Sequence, residues 1–453
     1  MVAPAVDAPP APPAQAPAPV ADSAVRASLV WLFRRIIGVY FRDIEVAGNL
    51  PRADTAGRIF VSNHTNALVD PILVLTTAPC RIVPVAKATL WKIRGLRWLL
   101  DQAGAVPILR RRDDPDKAAS SNEEVFDKVA ASLAGGANIL IFPEGTSHNE
   151  PRLIELKTGA ARMLARARRN GARGLTFQAV ALEFDERNVF RSRSLLVYGP
   201  VRSVDEIGKD GDALVEAITA RIREDLAELL VEGATWPERL LIARVAEMLV
   251  NDDAERTRSL SKWSTIGRQV EAAKQALSGT DPATLDAIAA AVTRYHERLG
   301  EEGLCDEQLA AEAEPGAVDT ASDAALWLSL PLAVAGAALY ALPYHLTRFA
   351  AERIAPEEDE LSTYKLGVGL LAYPLWAVAL SAAGWLLLPA PLAAGFGAVV
   401  LVSPFAALAW HDAAPRLRRA VRFATRAGRL SELRSLRGEV MKRIEEAREK
   451  LGM

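Results

Sequence analysis

The chain has 453 residues, a formal net charge of −2 and two cysteines, Cys80 and Cys305. This length allows two or more domains, and a nearly neutral charge provides no basic field for binding nucleic acid. Two cysteines form neither a disulfide framework nor a metal-ligand pattern, which fits a reducing compartment. Half of the residues are hydrophobic, and most of this excess lies beyond residue 320.

The first residues divide into two segments. Residues 1–23 are rich in alanine and proline and predict a disordered, extended lead, without the basic start and apolar run of a secretory signal. Residues 24–43 combine apolar, aromatic and arginine side chains at helical spacing, which predicts an amphipathic helix. This helix can lie in a membrane interface or pack on the domain that follows, and the two interpretations are compatible.

Residues 44–211 alternate between short apolar runs and helical patterns, which is typical of an α/β domain. Glycines punctuate the ends of two of the predicted helices. The predicted strands are Arg58–Ser62, Arg81–Ala86, Ala105–Leu109, Asn138–Phe142, Thr176–Leu182 and Leu195–Tyr198.

The rest of the chain predicts a helical region followed by a membrane region. Residues 212–320 are helical by pattern and show no recognisable chemistry. Within residues 321–412, a long stretch contains no charged side chain and predicts two spans, 366–388 and 391–410, because about 20 apolar residues cross a bilayer. The spans form a hairpin, and residues 324–342 are predicted to be interfacial or re-entrant.

The tail, residues 413–453, carries many arginines on a helical pattern. Basic segments beside membrane spans favour the cytoplasmic side. We therefore predict a cytoplasmic tail and an even number of spans, with the α/β domain also facing the cytoplasm from the cytoplasmic membrane. The alternative for the tail is a solvated helix face.

The most informative stretch follows the predicted strand Arg58–Ser62. His64 stands at the strand end and Asp70 at the first turn of a predicted helix, the place where open α/β sheets hold their chemistry. A histidine beside a carboxylate is the pairing of a general base, because the carboxylate fixes the tautomer and stabilises the imidazolium. Taken alone, the pair is equally compatible with a helix-capping aspartate and a structural histidine.

A second motif, Phe142-Pro143-Glu144-Gly145, follows another predicted strand. Together with Asn63-His64 and Asp70, it resembles the glycerolipid acyltransferase family over roughly residues 40–205. The resemblance implies an α/β acyltransferase domain with a mixed sheet flanked by helices, here followed by a helical region and a C-terminal transmembrane hairpin. Five residues separate His64 from Asp70 where the commonest family pattern has four. This spacing and the sequence of residues 66–71 resemble those of the glycerol-3-phosphate and dihydroxyacetone-phosphate acyltransferase branch.

The resemblance assigns roles residue by residue. His64 takes the proton from the acceptor hydroxyl, and Asp70 orients His64. Glu144 contacts the glycerol hydroxyl of the acceptor, and Gly145 lets the backbone approach closely.

Three basic residues complete the predicted substrate site. Arg110 matches the phosphate-binding arginine of the family, and a guanidinium at a strand end offers a planar fork to phosphate oxygens. Lys87 is a weaker candidate at the end of another strand. Lys157 either helps to bind phosphate or is a surface lysine at a helix start. Further along, Arg191 or Arg193 is a candidate to face phosphate or the donor nucleotide, or is a loop charge.

The predicted reaction transfers a fatty acyl group from acyl-CoA or acyl-carrier protein to glycerol 3-phosphate at the bilayer. It needs no cofactor and no metal, because the thioester is already activated. The alternative acceptors are lysophosphatidate and other lysophospholipids. A hydrolase, or a catalytically silent membrane scaffold that keeps the fold, is the alternative of another class.

Overall fold

The computed structural model describes residues 23–109, 115–253, 259–310, 320–425 and 427–452. The predicted lead, apart from Ser23, lies outside the described residues, and so does Arg110.

A seven-stranded mixed sheet forms the centre of the N-terminal domain in the part of the chain that the structure describes. Its spatial order is β1-β7-β6-β2-β5-β3-β4; β6 and β7 pair antiparallel, and the other neighbours pair parallel. The six predicted strands are present, and β1 at the sheet edge was not predicted. The strands are β1 Asp43–Gly48, β2 Arg58–Ser62, β3 Val83–Lys87, β4 Val106–Ile108, β5 Ile139–Ile141, β6 Thr176–Phe184 and β7 Arg193–Ser203.

Helices cover both faces of this sheet. The middle of β2, Ile59, Phe60 and Val61, is fully buried, as expected for an apolar run in the centre of a largely parallel sheet. Ile59 and Val61 belong to the core on one face and Phe60 to the core on the other, because side chains alternate along a strand. The helices of this part are α1 Ala24–Tyr40, α2 Val69–Thr77, α3 Arg94–Ala103, α4 Pro115–Ala134 and α5 Gly159–Arg169.

Helix α1 packs on the domain with one face only. Ile37 and Tyr40 are buried in the core, whereas Trp31 on the other face is 59% exposed. The predicted packing is therefore present. The membrane-interface interpretation stays a prediction for the exposed face.

The helical region and the tail pack together. Leu433 and Val440 of the last helix share a core with Val292 and Tyr295. The buried guanidinium of Arg437 is bonded to Asp306, with 2.9 Å between its Nε and the Oδ1 atom. The alternative of a solvated helix face is therefore wrong for the buried face of the last helix. These helices are α6 Gly211–Ala227, α7 Trp236–Asp252, α8 Leu260–Thr280, α9 Pro282–Glu302 and α13 Leu430–Leu451.

Three helices of the described chain have the length and apolar composition needed to cross a membrane. They are α10 Thr320–Ile354, α11 Leu361–Leu387 and α12 Ala390–Thr425. The predicted hairpin corresponds to α11 and α12, which Leu388 and Pro389 join. The re-entrant interpretation of residues 324–342 is wrong, because they belong to one unbroken helix that continues to Ile354. The prediction of an even number of spans is left untested by this structure.

Helix α10 runs against the direction of α12. Near its start, the carbonyl of Leu326 accepts a hydrogen bond from Trp410 Nε1 at 3.0 Å. Further along, Tyr340 Oη donates to the carbonyl of Val400 at 2.9 Å. Residues later in α10 therefore contact residues earlier in α12, so the two helices are antiparallel.

Helix α10 also runs against α11, since Trp376 Nε1 donates to the carbonyl of Leu339 at 2.8 Å and Thr347 lies beside Gly369. Helices α11 and α12 themselves run in opposite directions from their short turn. Helix α10, which contains Pro331 and Pro343, therefore packs against both helices of the hairpin. An interfacial position for residues 324–342 stays a prediction.

We expect the Gly336→Ala substitution to weaken the packing of α10 on α12. A Cβ at Gly336 would overlap the backbone of Ser403 on α12, and overpacking of this kind costs about 1–3 kcal/mol. Gly395→Ala on α12 is the matched control, because its added Cβ would enter open space. Denaturation in detergent micelles should show a loss of stability for the first variant alone; equal stability of the two variants would contradict this close packing.

Candidate active site

The predicted site residues that the structure describes lie near the carboxyl ends of parallel strands. Strands β2, β5, β3 and β4 are parallel neighbours, so their carboxyl ends lie at the same end of the sheet, where α/β sheets bind ligands. His64 follows β2, Glu144 follows β5, and Lys87 ends β3. Strand β4 ends at Ile108, two residues before Arg110.

His64 and Asp70 are in direct contact. The Asp70 carboxylate is fully buried in the first turn of α2, and its Oδ2 atom lies 3.0 Å from Nδ1 of His64. The same oxygen accepts hydrogen bonds from the backbone N–H groups of Thr65 at 2.8 Å and Asn66 at 2.7 Å. The positive end of the α2 dipole adds to this stabilisation of the carboxylate. The longer spacing between the two residues is therefore accommodated by wrapping the loop around the carboxylate.

This contact determines which nitrogen of His64 is basic. A carboxylate accepts hydrogen bonds, so Nδ1 carries the proton and Nε2 keeps its lone pair. The ring stacks on Phe142 with 4.1 Å between the ring centroids, which restricts its rotation. His64 thus has the tautomer and the fixed orientation that a general base requires.

Glu144 is bonded within the protein through both oxygens. Its Oε2 atom accepts the backbone N–H of His64 at 2.6 Å, and Oε1 lies 2.8 Å from Nε2 of His148. Nδ1 of His148 accepts the N–H of Glu150 at 3.1 Å, so His148 donates from Nε2 and is not a second base. Glu144 is 2% exposed. Its carboxylate therefore joins the two motif loops, and the predicted contact with the acceptor hydroxyl stays a prediction.

Gly145 and Lys157 lie side by side. Gly145 has a φ of +74°, a left-handed conformation that favours glycine. A Cβ at this position would lie 3.6 Å from Cγ of Lys157. The Lys157 backbone N–H donates to the carbonyl of Pro143 at 2.7 Å, and its ammonium lies 3.2 Å from Glu155. Lys157 is therefore next to the motif, and its phosphate contact stays a prediction.

Arg187 is a site residue that the sequence interpretation missed. Its Nη1 donates to the carbonyl of Thr65 at 2.8 Å and to that of His148 at 3.4 Å, so it ties the two motif loops together. Burial lowers the pKa of Arg187, and the nearby carboxylates of Glu358 and Asp70 act in the opposite direction. No local pattern distinguishes Arg187 from the other arginines of this segment.

The arginines favoured from sequence have partners inside the protein. Arg191 is ion-paired with Asp412 of α12, with 3.0 Å between Nε and Oδ1. Arg193 lies 3.1 Å from Asp185. The first pair connects the α/β domain to the apolar helices.

A cavity of about 1280 Å³ lies beside the motif loops. Glu144 and His148 line it from the loop after β5, Trp236 and Arg244 line it from α7, and Arg416 lines it from α12. The helical region, for which the sequence predicted no chemistry, therefore forms one wall of a cavity beside the motif. Among the residues that the structure describes, no group of three or more histidine, cysteine or acidic side chains could hold a metal ion.

Comparison with known proteins supports the predicted resemblance over this domain. Residues 43–183 match the family model described as Acyltransferase. A lyso-ornithine lipid O-acyltransferase of Pseudomonas aeruginosa is 30% identical over 154 residues, covering 34% of this chain and 52% of the relative. A chloroplastic 1-acyl-sn-glycerol-3-phosphate acyltransferase of Arabidopsis thaliana is 30% identical over 137 residues, covering 30% of this chain and 36% of the relative.

A relative from the predicted branch is also similar. Glycerol-3-phosphate O-acyltransferase 2 of Saccharomyces cerevisiae is 30% identical over 135 residues, covering 28% of this chain and 18% of the relative. The chain spans about half or less of the length of these three relatives. The family match ends within β6, so the helical region and the apolar helices lie outside it.

Proposed function

We propose that the chain is a membrane-associated O-acyltransferase that moves a fatty acyl group from a thioester donor, acyl-CoA or acyl-carrier protein, to a hydroxyl of a glycerolipid acceptor. The observation that carries this proposal is the His64–Asp70 pair, in which Nε2 of His64 keeps its lone pair. The family match and the names of the relatives support the same reaction class.

In the proposed reaction, Nε2 of His64 takes the proton of the acceptor hydroxyl as the oxygen attacks the thioester carbonyl. The C–S bond breaks, the acyl group forms an ester with the acceptor, and the thiolate leaves with the proton that His64 returns. Asp70 stabilises the imidazolium that exists between the two proton transfers. No acyl-enzyme intermediate is required.

The other site residues take supporting roles. Glu144 holds the His64 backbone, because its carboxylate accepts that N–H at 2.6 Å. Lys87, Arg110 and Lys157 are proposed to bind the phosphate of the acceptor. Lys87 ends β3, Arg110 follows β4 by two residues, and Lys157 lies two residues before α5. Cations are the groups that phosphate oxygens prefer.

We propose a lysophospholipid of the 1-acylglycerol 3-phosphate type as the acceptor. The first turn of α11, one of the helices suited to a membrane, packs beside the His64–Asp70 loop, so a lipid acceptor would reach the base from the bilayer. Two of the three relatives described above are named for lysolipid acceptors. Glycerol 3-phosphate is the second candidate acceptor. The sequence of residues 66–71 and the name of the yeast relative favour it.

The test is an acyl-transfer assay on membranes that contain the full chain, with labelled lysophosphatidate and glycerol 3-phosphate offered in parallel. We expect labelled phosphatidate from lysophosphatidate with acyl-CoA or acyl-carrier protein. Product from glycerol 3-phosphate alone would retain the chemistry and assign the second candidate. Absence of product from both acceptors with both donors would overturn the proposal in favour of the silent scaffold, and released fatty acid alone would indicate a hydrolase.

A further inference from the structure

The segment that opens α11 contacts the His64–Asp70 loop and the loop between β6 and β7. Thr363 Oγ1 accepts a hydrogen bond from the backbone N–H of Leu68 at 3.1 Å, and Ser362 Oγ donates to the carbonyl of Arg187 at 3.0 Å. Lys365 Nζ donates to the carbonyl of Asn188 at 2.8 Å. These contacts join residues far apart in the chain, and their α11 partners lie outside the matched residues 43–183.

The hydrogen bond to Leu68 is made where the loop that carries His64 meets the start of α2. Leu68 is the N-cap residue of α2, and its own side chain caps nothing. Ala67 beside it has a φ of +35°, a conformation that costs free energy for a residue with a Cβ. Since the first N–H groups of a helix need partners from elsewhere, Thr363 supplies one. Asp70, which orients His64, is two residues further on.

The contact with Arg187 extends the support to both loops. The Arg187 side chain bonds the carbonyls of Thr65 and His148, while its own carbonyl accepts from Ser362 and from Asn66 Nδ2 at 3.5 Å. The start of α11 is thus bonded to Arg187, which in turn is bonded to both motif loops. Leu366 of α11 packs against the adjacent core.

We infer that Thr363 is a positioning residue for the His64–Asp70 pair, so that an apolar helix outside the acyltransferase domain completes the active site. This inference rests on the proposed function. Thr363 reaches no reacting atom; it acts through the Leu68 N–H and the loop that carries Asp70. A shift of this loop would displace Asp70 from Nδ1 of His64, and small displacements of a catalytic group reduce the rate strongly.

The test compares Thr363→Val, which keeps the shape and removes the acceptor, with Thr363→Ser, which keeps the hydroxyl. We expect Thr363→Val to lower kcat about tenfold, with KM for donor and acceptor within about twofold of wild type, because an interaction needed for chemistry rather than binding is lost. Thr363→Ser should retain most of the activity. Ser381→Ala, further along α11, is the control and should behave as wild type.

Hydrogen exchange supplies a second measurement on the full chain in micelles. Thr363→Val should increase exchange in the peptide that covers residues 65–70, while peptides from β2 and β6 keep wild-type exchange. Wild-type kcat and wild-type exchange in Thr363→Val would overturn the inference, and so would a rise in KM at constant kcat. If wild type itself transfers no acyl group, the proposed function fails, and unchanged exchange at residues 65–70 would then overturn the positioning role separately.

Discussion

His64→Ala should reduce acyl transfer by roughly 10²- to 10⁴-fold, the range that a positioned general base contributes. The substitution removes the Nε2 lone pair, which is the proton acceptor in the proposed reaction. It leaves the backbone N–H of residue 64 free to keep its bond to Glu144. We therefore expect a fall in kcat with little change in the binding of either substrate, measured by steady-state kinetics with labelled acceptor.

The matched control for this variant is His345→Ala. His345 is an exposed histidine of α10 outside the site, so its loss should leave kcat at the wild-type value. Unchanged melting temperatures of both variants in micelles would show that folding is not the cause. Retention of more than about a tenth of wild-type kcat by His64→Ala would exclude a role for His64 as the essential base.

Asp70→Asn should lower kcat by about 10²- to 10⁴-fold, because the neutral amide does not stabilise the His64 imidazolium as the carboxylate does. Asn has the same shape, and its oxygen can still accept the N–H groups of Thr65 and Asn66. The defect should therefore appear in kcat more than in the fold. Steady-state kinetics with thermal denaturation in parallel separates the two effects.

Asp225→Asn is the control for loss of a buried carboxylate. Asp225 is also buried and accepts from Arg202 at 2.7 Å and Arg221 at 2.8 Å, away from the catalytic pair. We expect this variant to lose stability and to keep its kcat per folded molecule. If Asp70→Asn and Asp225→Asn lowered activity equally, Asp70 would have only a structural role.

Local patterns in the sequence were sufficient to place the two motifs. The apolar run Arg58–Ser62 predicts the strand that the structure shows with the same bounds, and Pro71 with the following apolar residues predicts the start of a helix. A histidine at the strand end and an aspartate in the first helical turn then follow from position alone. Their hydrogen bond at 3.0 Å is consistent with the predicted pairing.

The role of Glu144 required the tertiary structure. The motif around Glu144 is separated from His64 by 80 residues, and only the adjacency of β2 and β5 brings the carboxylate to the His64 backbone. Sequence resemblance therefore suggested a substrate contact, whereas the observed bonds connect the two loops. The order of strands in a sheet depends on packing among distant segments, and local periodicity does not report it.

The membrane region shows the same difference between what is predictable from local sequence and what depends on packing. Composition located the apolar stretches, since a bilayer-length run without charge is a local property. The packing of α10 on the hairpin depends on contacts such as that of Trp376 with Leu339, which helical spacing does not predict. The packing of α13 on α9 is likewise not predictable from helical spacing. The apolar face of α13 indicates that it is buried, but it does not indicate against which helix.

Residues close together in the chain are enough to predict the α/β pattern, the two motifs and the apolar helices. The bonds by which Arg187 joins the motif loops, and the bond between Leu68 and Thr363, 295 residues away, depend on which surfaces meet after folding. A hydrogen bond constrains only the two atoms that it joins, so it produces no repeating pattern along the chain from which it could be predicted.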